Sequence, residues 1–362
     1  MAPPQIDDVT ATAYTIPTED DHESDGTLVW SDTTIVVVEV RAGEHTGLGY
    51  TYADGSVAQV VNEKLAPIVA AGDPLRPPET WARLEVETRQ LGHTGLNAMA
   101  VSAVDVALWD LKATRLELPL ADVLPRFRTS VPIYGSGGFT SLSDAELAAQ
   151  TAQWAVEQGI PRVKIKVGRD KDRDVHRVEV VRDAVGPDVE ILVDGNGAYT
   201  PQQAIEHAHR FAALGVRWFE EPVSSDDLAG LAQVRDHTPP GMEIAAGEYG
   251  WNLPYFRNMI GTVDVLQADV TRCGGITNLI RLDGLTKARS MPLSAHCAPA
   301  VSAHACCALE TVRHIEYFFD HTRIESLLFD GTLSPAQGAL TPDPGRPGLG
   351  LTLRSDAERW RA

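Results

Sequence analysis

The sequence has few cysteines and no excess of positive charge. Its 362 residues include four cysteines, Cys273, Cys297, Cys306 and Cys307, and no two of them form a C-x-x-C pair. This spacing excludes a typical zinc finger and a secreted disulfide framework. Lys and Arg total 31 against 50 for Asp and Glu, which gives a formal net charge of −19. A chain this acidic is not expected to bind nucleic acid or an anionic membrane.

Long apolar runs and several common enzyme motifs are also lacking. No apolar run is long enough to cross a bilayer, and the first residues have neither the basic nor the apolar region of a signal peptide. There is no G-x-x-x-x-G-K, no G-x-G-x-x-G after an early strand, and no nucleophile elbow G-x-S-x-G around Ser136. We therefore expect a cytoplasmic enzyme or binding protein.

The sequence does contain enough apolar residues for a large core. Hydrophobic residues make up 43% and charged residues 22% of the chain, as in soluble globular proteins. The length exceeds one small domain and suits a large barrel with an added domain. We predict an α+β domain over residues 1–126, a barrel over 127–330, and a C-terminal segment over 331–362 that returns to the first domain.

Strands and then helices are predicted in the first domain. Thr33–Val40 and Leu48–Tyr52 are rich in β-branched and aromatic residues, which favour strands. The acidic, glycine-ended segment Thr18–Gly26 is typical of a mobile loop. One apolar helical stripe follows, consisting of Val101, Val104, Leu108 and Leu111. Asp105 and Asp110 lie off this stripe, and no function is predicted for them.

Short apolar strands alternate with helical stretches in the second part of the chain. Helices are predicted at Asp144–Gln158 and Pro201–Leu214. The predicted strands are Val131–Tyr134, Val163–Val167, Ile191–Asp194, Trp218–Glu221, Glu243–Ala246, Val265–Asp269, Leu293–His296 and His314–Phe318. This alternation predicts an α/β fold with a (β/α)8-type barrel, and an open doubly wound sheet is the alternative. In the tail, Leu349–Leu353 is predicted to be a strand that returns to the first domain.

Two lysines share one face of a predicted strand. Lys164 and Lys166 are two residues apart, so both point away from the face formed by Val163, Ile165 and Val167. Repulsion between two neighbouring ammonium groups lowers the pKa of at least one of them, and such a lysine can act as a base. The alternative is a half-exposed strand with two solvated lysines.

Ionisable residues recur at the ends of the predicted strands. They are Lys166, Asp194, Glu220, Glu248, Asp269, His296 and Glu316. Their average spacing is about 25 residues, close to the length of one strand-helix unit. Each unit should therefore deliver one ionisable group to the C-terminal face of the barrel, where barrel active sites lie.

Three consecutive strands end in carboxylates. Asp194, Glu220 and Glu248 would repel one another unless a cation neutralises them. An all-oxygen set favours Mg²⁺ first and Mn²⁺ second, and makes zinc less suitable. Glu220 is chosen over Glu221 because it shares the strand face of Trp218. Glu221 is interpreted as a supporting or helix N-terminal charge.

A histidine and an aspartate lie on the strands beyond the metal set. Asp269 can orient His296 and stabilise its charge, as carboxylates do for catalytic imidazoles. In a closed ring, this pair and the two lysines flank the metal from opposite directions. A histidine in the core is the alternative for His296, and His304 and His314 are interpreted as structural.

The sequence resembles the mandelate racemase subgroup of the enolase superfamily over nearly its whole length. The motifs that carry the resemblance are Lys164-Ile-Lys166, Val193-Asp-Gly-Asn-Gly-Ala-Tyr199, Trp218-Phe-Glu-Glu-Pro222, Ala246-Gly-Glu248, Gln267-Ala-Asp269, Ser294-Ala-His296 and His314-Ile-Glu316. The resemblance implies a modified TIM barrel, (β/α)7β, with an N-terminal α+β capping domain completed by the C-terminal segment. It also implies that the loop near residues 18–30 closes over the substrate.

The resemblance further implies roles for single residues. Asp194, Glu220 and Glu248 would hold Mg²⁺. The implied catalytic residues are Lys166 as one base, Lys164 as its pKa-lowering neighbour, His296 with Asp269 as the opposing acid-base pair, and a protonated Glu316 at the substrate carboxylate. Ser136 and Asn196 match substrate-contacting positions less specifically.

The expected reaction starts with removal of the proton next to a carboxylate, which gives an enediolate. Loss of a β-hydroxyl would then make the protein an acid-sugar dehydratase. Return of a proton to the same carbon would make it a racemase or epimerase, which is the alternative. A non-catalytic protein that binds a metal or a sugar acid is a third interpretation, although every expected base is present. We expect a small carboxylate substrate and a homo-oligomer.

Overall fold

Branched aliphatic residues build an antiparallel sheet near the start of the chain. The computed structural model describes residues 5–362. The strands of this part are β1 (Asp8–Pro17), β2 (Glu23–Ser24), β3 (Val29–Trp30), β4 (Asp32–Ala42) and β5 (His45–Tyr52). They form a three-stranded sheet in the order β1-β4-β5, with β2 and β3 paired separately. Both predicted strands of this domain are therefore confirmed.

Helices follow the sheet and cover it. They are α1 (Ser56–Val60), α2 (Ala66–Ala70), α3 (Pro77–Glu87), α4 (Gly95–Arg115) and α5 (Leu120–Val123), with a π-helical turn at Val61–Leu65 and a 3₁₀ turn at Arg89–Leu91. Helix α4 lies close to β5 because two glycines face it. A Cβ atom at Gly47 or Gly49 would come within 2.2 Å of a carbonyl oxygen of α4. None of the described helices is long and apolar enough to span a membrane.

Eight parallel strands close into a barrel. They are β6 (Val131–Gly137), β7 (Arg162–Lys166), β8 (Glu190–Asp194), β9 (Trp218–Glu220), β10 (Glu243–Ala246), β11 (Val265–Ala268), β12 (Leu293–Ala295) and β13 (Val312–Phe318). Each strand pairs with the next, and β13 pairs with β6. This closing pair confirms the predicted barrel and rules out the open sheet.

A helix follows each barrel strand. The helices are α6 (Asp144–Ala152), α7 (Asp174–Val185), α8 (Pro201–Ala213), α9 (Leu228–His237), α10 (Leu253–Met259), α11 (Gly275–Ala288), α12 (Pro299–Cys306) and α13 (Phe319–Leu328), and a π-helical turn at Gln153–Glu157 extends α6. Capping boxes start α6 at Ser143 and α8 at Thr200, which explains why these two helices begin where they do.

The register of the barrel brings strand ends to one level. Lys166 lies opposite Asp194, and Asp194 lies opposite Glu220. Below this level, a buried apolar cluster fills the barrel interior and forms a floor. Its members are Tyr134, Leu192, Trp218, Ala245 and Val265. The ionisable groups therefore stand above an apolar layer, at the C-terminal face.

The acidic segment near the N-terminus lies against the barrel. Strands β2 and β3 pair Glu23 with Trp30. The Ser24 carbonyl accepts a hydrogen bond of 2.7 Å from the Thr140 amide, in the connection between β6 and α6. Glu23, Ser24 and Asp25 are buried. The mobility expected for this segment stays a prediction.

The C-terminal tail touches both parts of the molecule. Its strands are β14 (Phe329–Asp330), β15 (Ala339–Leu340) and β16 (Thr352–Leu353), followed by a 3₁₀ helix at Ser355–Trp360. The predicted tail strand pairs with β14 and not with the first sheet. Asp110 on α4 nevertheless ties the tail to the first domain, because it accepts hydrogen bonds from the Leu48 and Leu349 amides at 2.7 and 2.5 Å. The domain limits at residues 126 and 330 stay predictions.

Candidate metal and acid-base site

Both lysines of β7 point into the barrel. Lys164 is fully buried and Lys166 is 6% exposed, so the alternative of solvated lysines is wrong. The Lys164 Nζ lies 2.8 Å from Glu316 Oε1 and also contacts the Glu220 carboxylate. The Lys166 Nζ donates to Asp194 Oδ2 at 2.5 Å. The two lysines are thus embedded among carboxylates from other strands.

These carboxylates raise the pKa of both lysines. Burial lowers the pKa of Lys164, but the charges of Glu220 and Glu316 outweigh burial and hold it well above its ordinary value. Burial and Lys164 lower the pKa of Lys166, but Asp194 and further carboxylates raise it overall. The expected repulsion by Lys164 does lower the pKa of Lys166, but the surrounding carboxylates outweigh it. A divalent cation that neutralised the carboxylates would remove the upward shift.

The three carboxylates singled out in the sequence come together. Asp194 at the end of β8, Glu220 at the end of β9 and Glu248 after β10 are buried, and one oxygen from each lies within 4.8 Å of the others. The Trp218 indole donates to Glu220 Oε2 at 3.0 Å. Glu248 Oε2 accepts no hydrogen bond from the described residues.

The electrostatics of this cluster fit a hard divalent cation. Burial raises the pKa of Glu220 to about 8, and the charges of Asp194 and Glu248 add to the shift although Lys164 opposes it. Glu221, next in the chain, is buried with its Oε1 lacking a donor among the described residues. Several buried carboxylates without enough partners are stabilised by a cation, and oxygen donors suit Mg²⁺, with Mn²⁺ second.

His296 and Asp269 form the pair that the sequence suggests. The His296 Nδ1 lies 2.8 Å from Asp269 Oδ2, and Asp269 Oδ1 accepts hydrogen bonds of 2.7 Å from the Thr271 amide and hydroxyl. Burial opposes ionisation of Asp269, but the hydrogen bond from His296 and the charge of Arg272 hold its pKa below the ordinary value. Burial lowers the pKa of His296, but Glu248 and Glu316 raise it overall. Asp269 therefore orients the ring and favours its charged form.

The lysines and the histidine lie on well-separated strands. Strand β7 carries the lysines, and His296 directly follows β12. Around the closed ring, β7 and β12 are three strands apart through β6 and β13, and five apart through the strands of the carboxylate set. We call Lys164 and Lys166 the lysine side of the site, and Asp269 and His296 the histidine side.

Glu316 and Ser136 meet between the two sides. The Ser136 hydroxyl donates to Glu316 Oε1 at 2.6 Å, and both residues are buried. Burial raises the pKa of Glu316, but Lys164 and His296 hold it well below its ordinary value, which favours the ionised carboxylate over the protonated form that the resemblance implies. Ser136 thus positions Glu316, and its contact with a substrate stays a prediction.

Asn196 lies at the rim of the carboxylate set. The side-chain nitrogen of Asn196 lies 3.3 Å from Asp194 Oδ2, and its Oδ1 has no donor among the described residues. Its backbone has a φ of +45°, which is uncommon for a residue with a side chain. This conformation turns Asn196 toward the cavity, where its predicted contact with a substrate stays untested.

The histidine side is attached to the first domain through the turn between β11 and α11. The Thr51 hydroxyl donates to the Thr271 carbonyl at 2.8 Å, and the Gly274 amide donates to the Ser102 hydroxyl at 2.9 Å. Asp105, which was given no role, accepts hydrogen bonds of 2.6 and 2.9 Å from the Thr277 hydroxyl and amide. Residues of β5 and α4 therefore hold the turn that begins with Asp269.

Several residues of the cavity were not singled out in the sequence. The cavity measures about 120 Å³ and is lined by Lys166, Asn196, Glu248, His296 and Glu316, together with Asp25, Trp30, Tyr249, Arg272, Cys297, Phe318 and His321. Arg272 and Cys297 are close in sequence to Asp269 and His296. This proximity to predicted site residues could have indicated that both line the cavity. No sequence pattern indicated His321, whereas Trp30 lies in the loop near residues 18–30 that the resemblance places over the substrate.

Comparison with known families and proteins supports this arrangement. Residues 146–357 match the family described as enolase C-terminal domain-like, and residues 22–125 match the mandelate racemase / muconate lactonizing enzyme N-terminal domain. A 3,6-anhydro-alpha-L-galactonate cycloisomerase from Streptomyces coelicolor is 32% identical over 87% of this chain and 86% of that protein. An arabinonate dehydratase from Saccharolobus solfataricus is 29% identical over 88% of each.

Solved structures show the same architecture. A mandelate racemase/muconate lactonizing enzyme-like protein from Rubrobacter xylanophilus has a TM-score of 0.97 and 55% identity, covering 99% of this chain and 100% of that one. L-talarate/galactarate dehydratase from Salmonella typhimurium, liganded with Mg and L-lyxarohydroxamate, has a TM-score of 0.90 and 26% identity, covering 100% and 94%. Enolase-superfamily enzymes use a Lys or His base with Mg²⁺ to form an enediolate. The chain therefore belongs to the mandelate racemase/muconate lactonizing enzyme family of the Mg²⁺-dependent enolase superfamily.

Proposed function

We propose that the protein is an acid-sugar dehydratase, a carbon-oxygen lyase. It would remove the proton next to a substrate carboxylate and then eliminate water from the adjacent carbon. The observation that carries this proposal is the placement of Lys166 and His296 on separated strands with three carboxylates between them. The names of the relatives support it, because arabinonate and L-talarate/galactarate dehydratases are among them.

In this proposal Asp194, Glu220 and Glu248 hold the metal. Their oxygens converge, and Glu248 Oε2 lacks a donor among the described residues. Bound Mg²⁺ supplies positive charge that stabilises the negative charge developing on the substrate carboxylate. Glu221 is a supporting charge next to this set.

Lys166 is proposed as the base that removes the α-proton. Its ammonium nitrogen already lies in the cavity, and an uncharged amine at the same position would accept a proton. Lys164 stays charged between Glu220 and Glu316 and stabilises negative charge in the substrate carboxylate. Ser136 holds Glu316 in place, and Asn196 offers its free Oδ1 to a substrate hydroxyl.

His296 is proposed as the acid that protonates the departing β-hydroxyl. Its Nδ1 is engaged by Asp269, so the proton at Nε2 is the one available to a ligand. The raised pKa keeps that proton in place until the hydroxyl leaves. Water is then released, and the enol product becomes a 2-keto-3-deoxy acid.

The experiment is a screen of aldonates and aldarates with purified enzyme and Mg²⁺, with ketoacid detected as its semicarbazone. We expect ketoacid from at least one acid sugar. We also expect Lys166→Ala and His296→Asn to lose turnover while still binding Mg²⁺. Unchanged turnover in both variants would overturn the residue assignment.

Racemisation or epimerisation of a 2-hydroxy acid or a related carboxylate is the second candidate. The presence of a base on each side of the carboxylate set favours it, because a proton removed by one side can be returned by the other. Deuterium incorporation at the α-carbon without ketoacid from any acid sugar would support this isomerase and contradict the dehydratase.

A further inference from the structure

Cys297 places a sulfur atom among the proton-handling groups. Its Sγ lies 3.2 Å from His296 Nε2 and 3.4 Å from Glu316 Oε2, and His296 Nε2 lies 3.5 Å from the same glutamate oxygen. All three side chains are buried and line the cavity. Neither the magnesium site nor the proposed dehydration needs the thiol.

Two of the three separations lie within the range expected between ligands of a tetrahedral zinc ion, and the third, at 3.2 Å, is slightly shorter. With bonds of about 2.0–2.3 Å to nitrogen, oxygen and sulfur, tetrahedral angles place the ligand atoms roughly 3.3–3.6 Å apart. A set of one imidazole, one thiol and one carboxylate is softer than the all-oxygen set nearby, and it favours zinc over magnesium. We propose that His296 Nε2, Cys297 Sγ and Glu316 Oε2 form a second cation site that binds Zn²⁺, with the fourth position open to the cavity.

The surrounding hydrogen bonds already orient each donor. The His296 Nδ1 is bonded to Asp269, which leaves the Nε2 lone pair for a metal, as in carboxylate-histidine-zinc arrangements. Glu316 Oε1 is occupied by Ser136 and Lys164, so Oε2 is the oxygen turned toward the sulfur. The donors therefore need little reorganisation to bind.

The backbone holds the cysteine in an unusual conformation. Cys297 and Ala298 have φ values of +49° and +44°, which side-chain-bearing residues seldom adopt consecutively. The Ser302 hydroxyl donates to the Cys297 carbonyl at 2.8 Å, and the Ala298 amide donates to His321 Nδ1 at 3.4 Å. These bonds fix the turn that aims the sulfur into the cavity.

Binding replaces the S–H bond with an S–Zn bond and the Nε2–H bond of the imidazolium with an N–Zn bond. Both protons go to solvent, without oxidation or reduction. It also occupies the nitrogen that the proposed dehydration uses as an acid. Zinc is therefore an inhibitor that excess Mg²⁺ does not displace. This inhibition rests on the proposed function, whereas the binding itself does not.

The test uses the whole protein saturated with Mg²⁺ and titrated with Co²⁺, a spectroscopic substitute for Zn²⁺. The wild type is expected to show thiolate-to-cobalt absorption that one equivalent of Zn²⁺ abolishes. Cys297→Ala and Cys297→Ser should lose the absorption and bind Zn²⁺ at least tenfold more weakly, because even loss of a supporting partner costs about 10–100-fold. The matched control is Cys306→Ala, another buried cysteine, which should behave like wild type.

Three results would overturn the second site. They are absorption that persists in both Cys297 variants, no absorption in the wild type, and loss of bound cobalt when the Mg²⁺ concentration is raised further, which would place cobalt in the carboxylate set. Thermal melting of each variant is the check that the variant is folded. The spectrum requires no turnover, so a failed dehydratase assay leaves this result interpretable.

Discussion

The lysine side and the histidine side of the site are held in different ways. Lys164 and Lys166 are fixed inside the barrel by carboxylates from neighbouring strands. Asp269 begins a turn that is hydrogen-bonded to Thr51 and Ser102 of the first domain. One side therefore depends on charge pairing within the barrel, and the other depends on contacts between the two domains.

This difference predicts that the two proton-handling groups respond differently to substitutions, with Glu248 and Glu316 as the charges that act on both. Changes at Asp194 or Glu220 act first on the lysines, because these two charges raise the pKa values of the lysines. Changes in α4 or β5 act first on Asp269, and through it on His296.

The largest effects are expected from removing the proton-handling groups. Lys166→Met and His296→Asn should each lower kcat by about 10²–10⁴-fold, the usual contribution of a general acid or base. With two acid sugars epimeric at the α-carbon, Lys166→Met should abolish deuterium exchange for one epimer and His296→Asn for the other. If both variants lost deuterium exchange for the same epimer, the assignment of one proton-handling group to each side of the site would be contradicted.

A smaller loss is expected when the orienting carboxylate is neutralised. Asp269→Asn should lower kcat by about 10–100-fold, the usual cost of losing a carboxylate that orients a functional histidine, because an amide does not fix the imidazole tautomer or stabilise its charge. Exchange by the lysine side should be unchanged. Asp283→Asn, another buried aspartate that accepts hydrogen bonds from Glu310 and Thr311, is the matched control and should keep normal turnover. Equal losses of exchange on both sides would show that Asp269 acts on the whole site.

Two aspartates of α4 test the contact between domains. Asp105→Asn and Asp110→Asn should each destabilise the fold by about 1–3 kcal/mol, since the amide keeps one acceptor oxygen and leaves the other buried donor unpaired. Only Asp105→Asn should also lower kcat, by several-fold, because Asp105 holds Thr277 near the histidine side while Asp110 holds the tail. Chemical denaturation and steady-state kinetics measure the two effects. Similar kinetics for both variants would argue against the anchoring role of α4.

The smallest effect concerns Glu248, which lies between the two sides at 3.3 Å from His296 Nε2. Without Mg²⁺, Glu248→Gln should raise stability by on the order of 1 kcal/mol, because it removes one charge from a crowded set. Mg²⁺ should raise the melting temperature of the wild type but much less that of the variant. Glu206→Gln, on an exposed position of α8, is the control. A variant that Mg²⁺ stabilises as strongly as wild type would remove Glu248 from the metal set.

The barrel and the location of the site could be predicted because both follow from local pattern. Alternation along each strand decides which side chains face inward, and parallel register brings strand ends to one level. Asp194, Glu220 and Glu248 could therefore be grouped from their spacing, and the structure brings them within 4.8 Å of one another.

Properties that depend on distant segments could not be predicted in the same way. The pKa of Lys164 is raised by Glu220 and Glu316, which lie far away in the chain. The direction of this shift therefore follows only from distances in the folded protein. The roles of Asp105 and Asp110 depend on partners in α11 and the tail. Cys297 is aimed into the cavity by a backbone conformation that neither periodicity nor composition indicates.

The hydrogen bonds from Thr51 and Ser102 to the turn after β11 have a consequence for how this molecule can change over time. A barrel cut free from its partner would retain the lysine half of its chemistry and lose the scaffold of the other half. Grafting the N-terminal domain of a relative onto this barrel would retune one half of the acid-base machinery and spare the other. The acid-base machinery of the histidine side is therefore shared between the two parts of the chain.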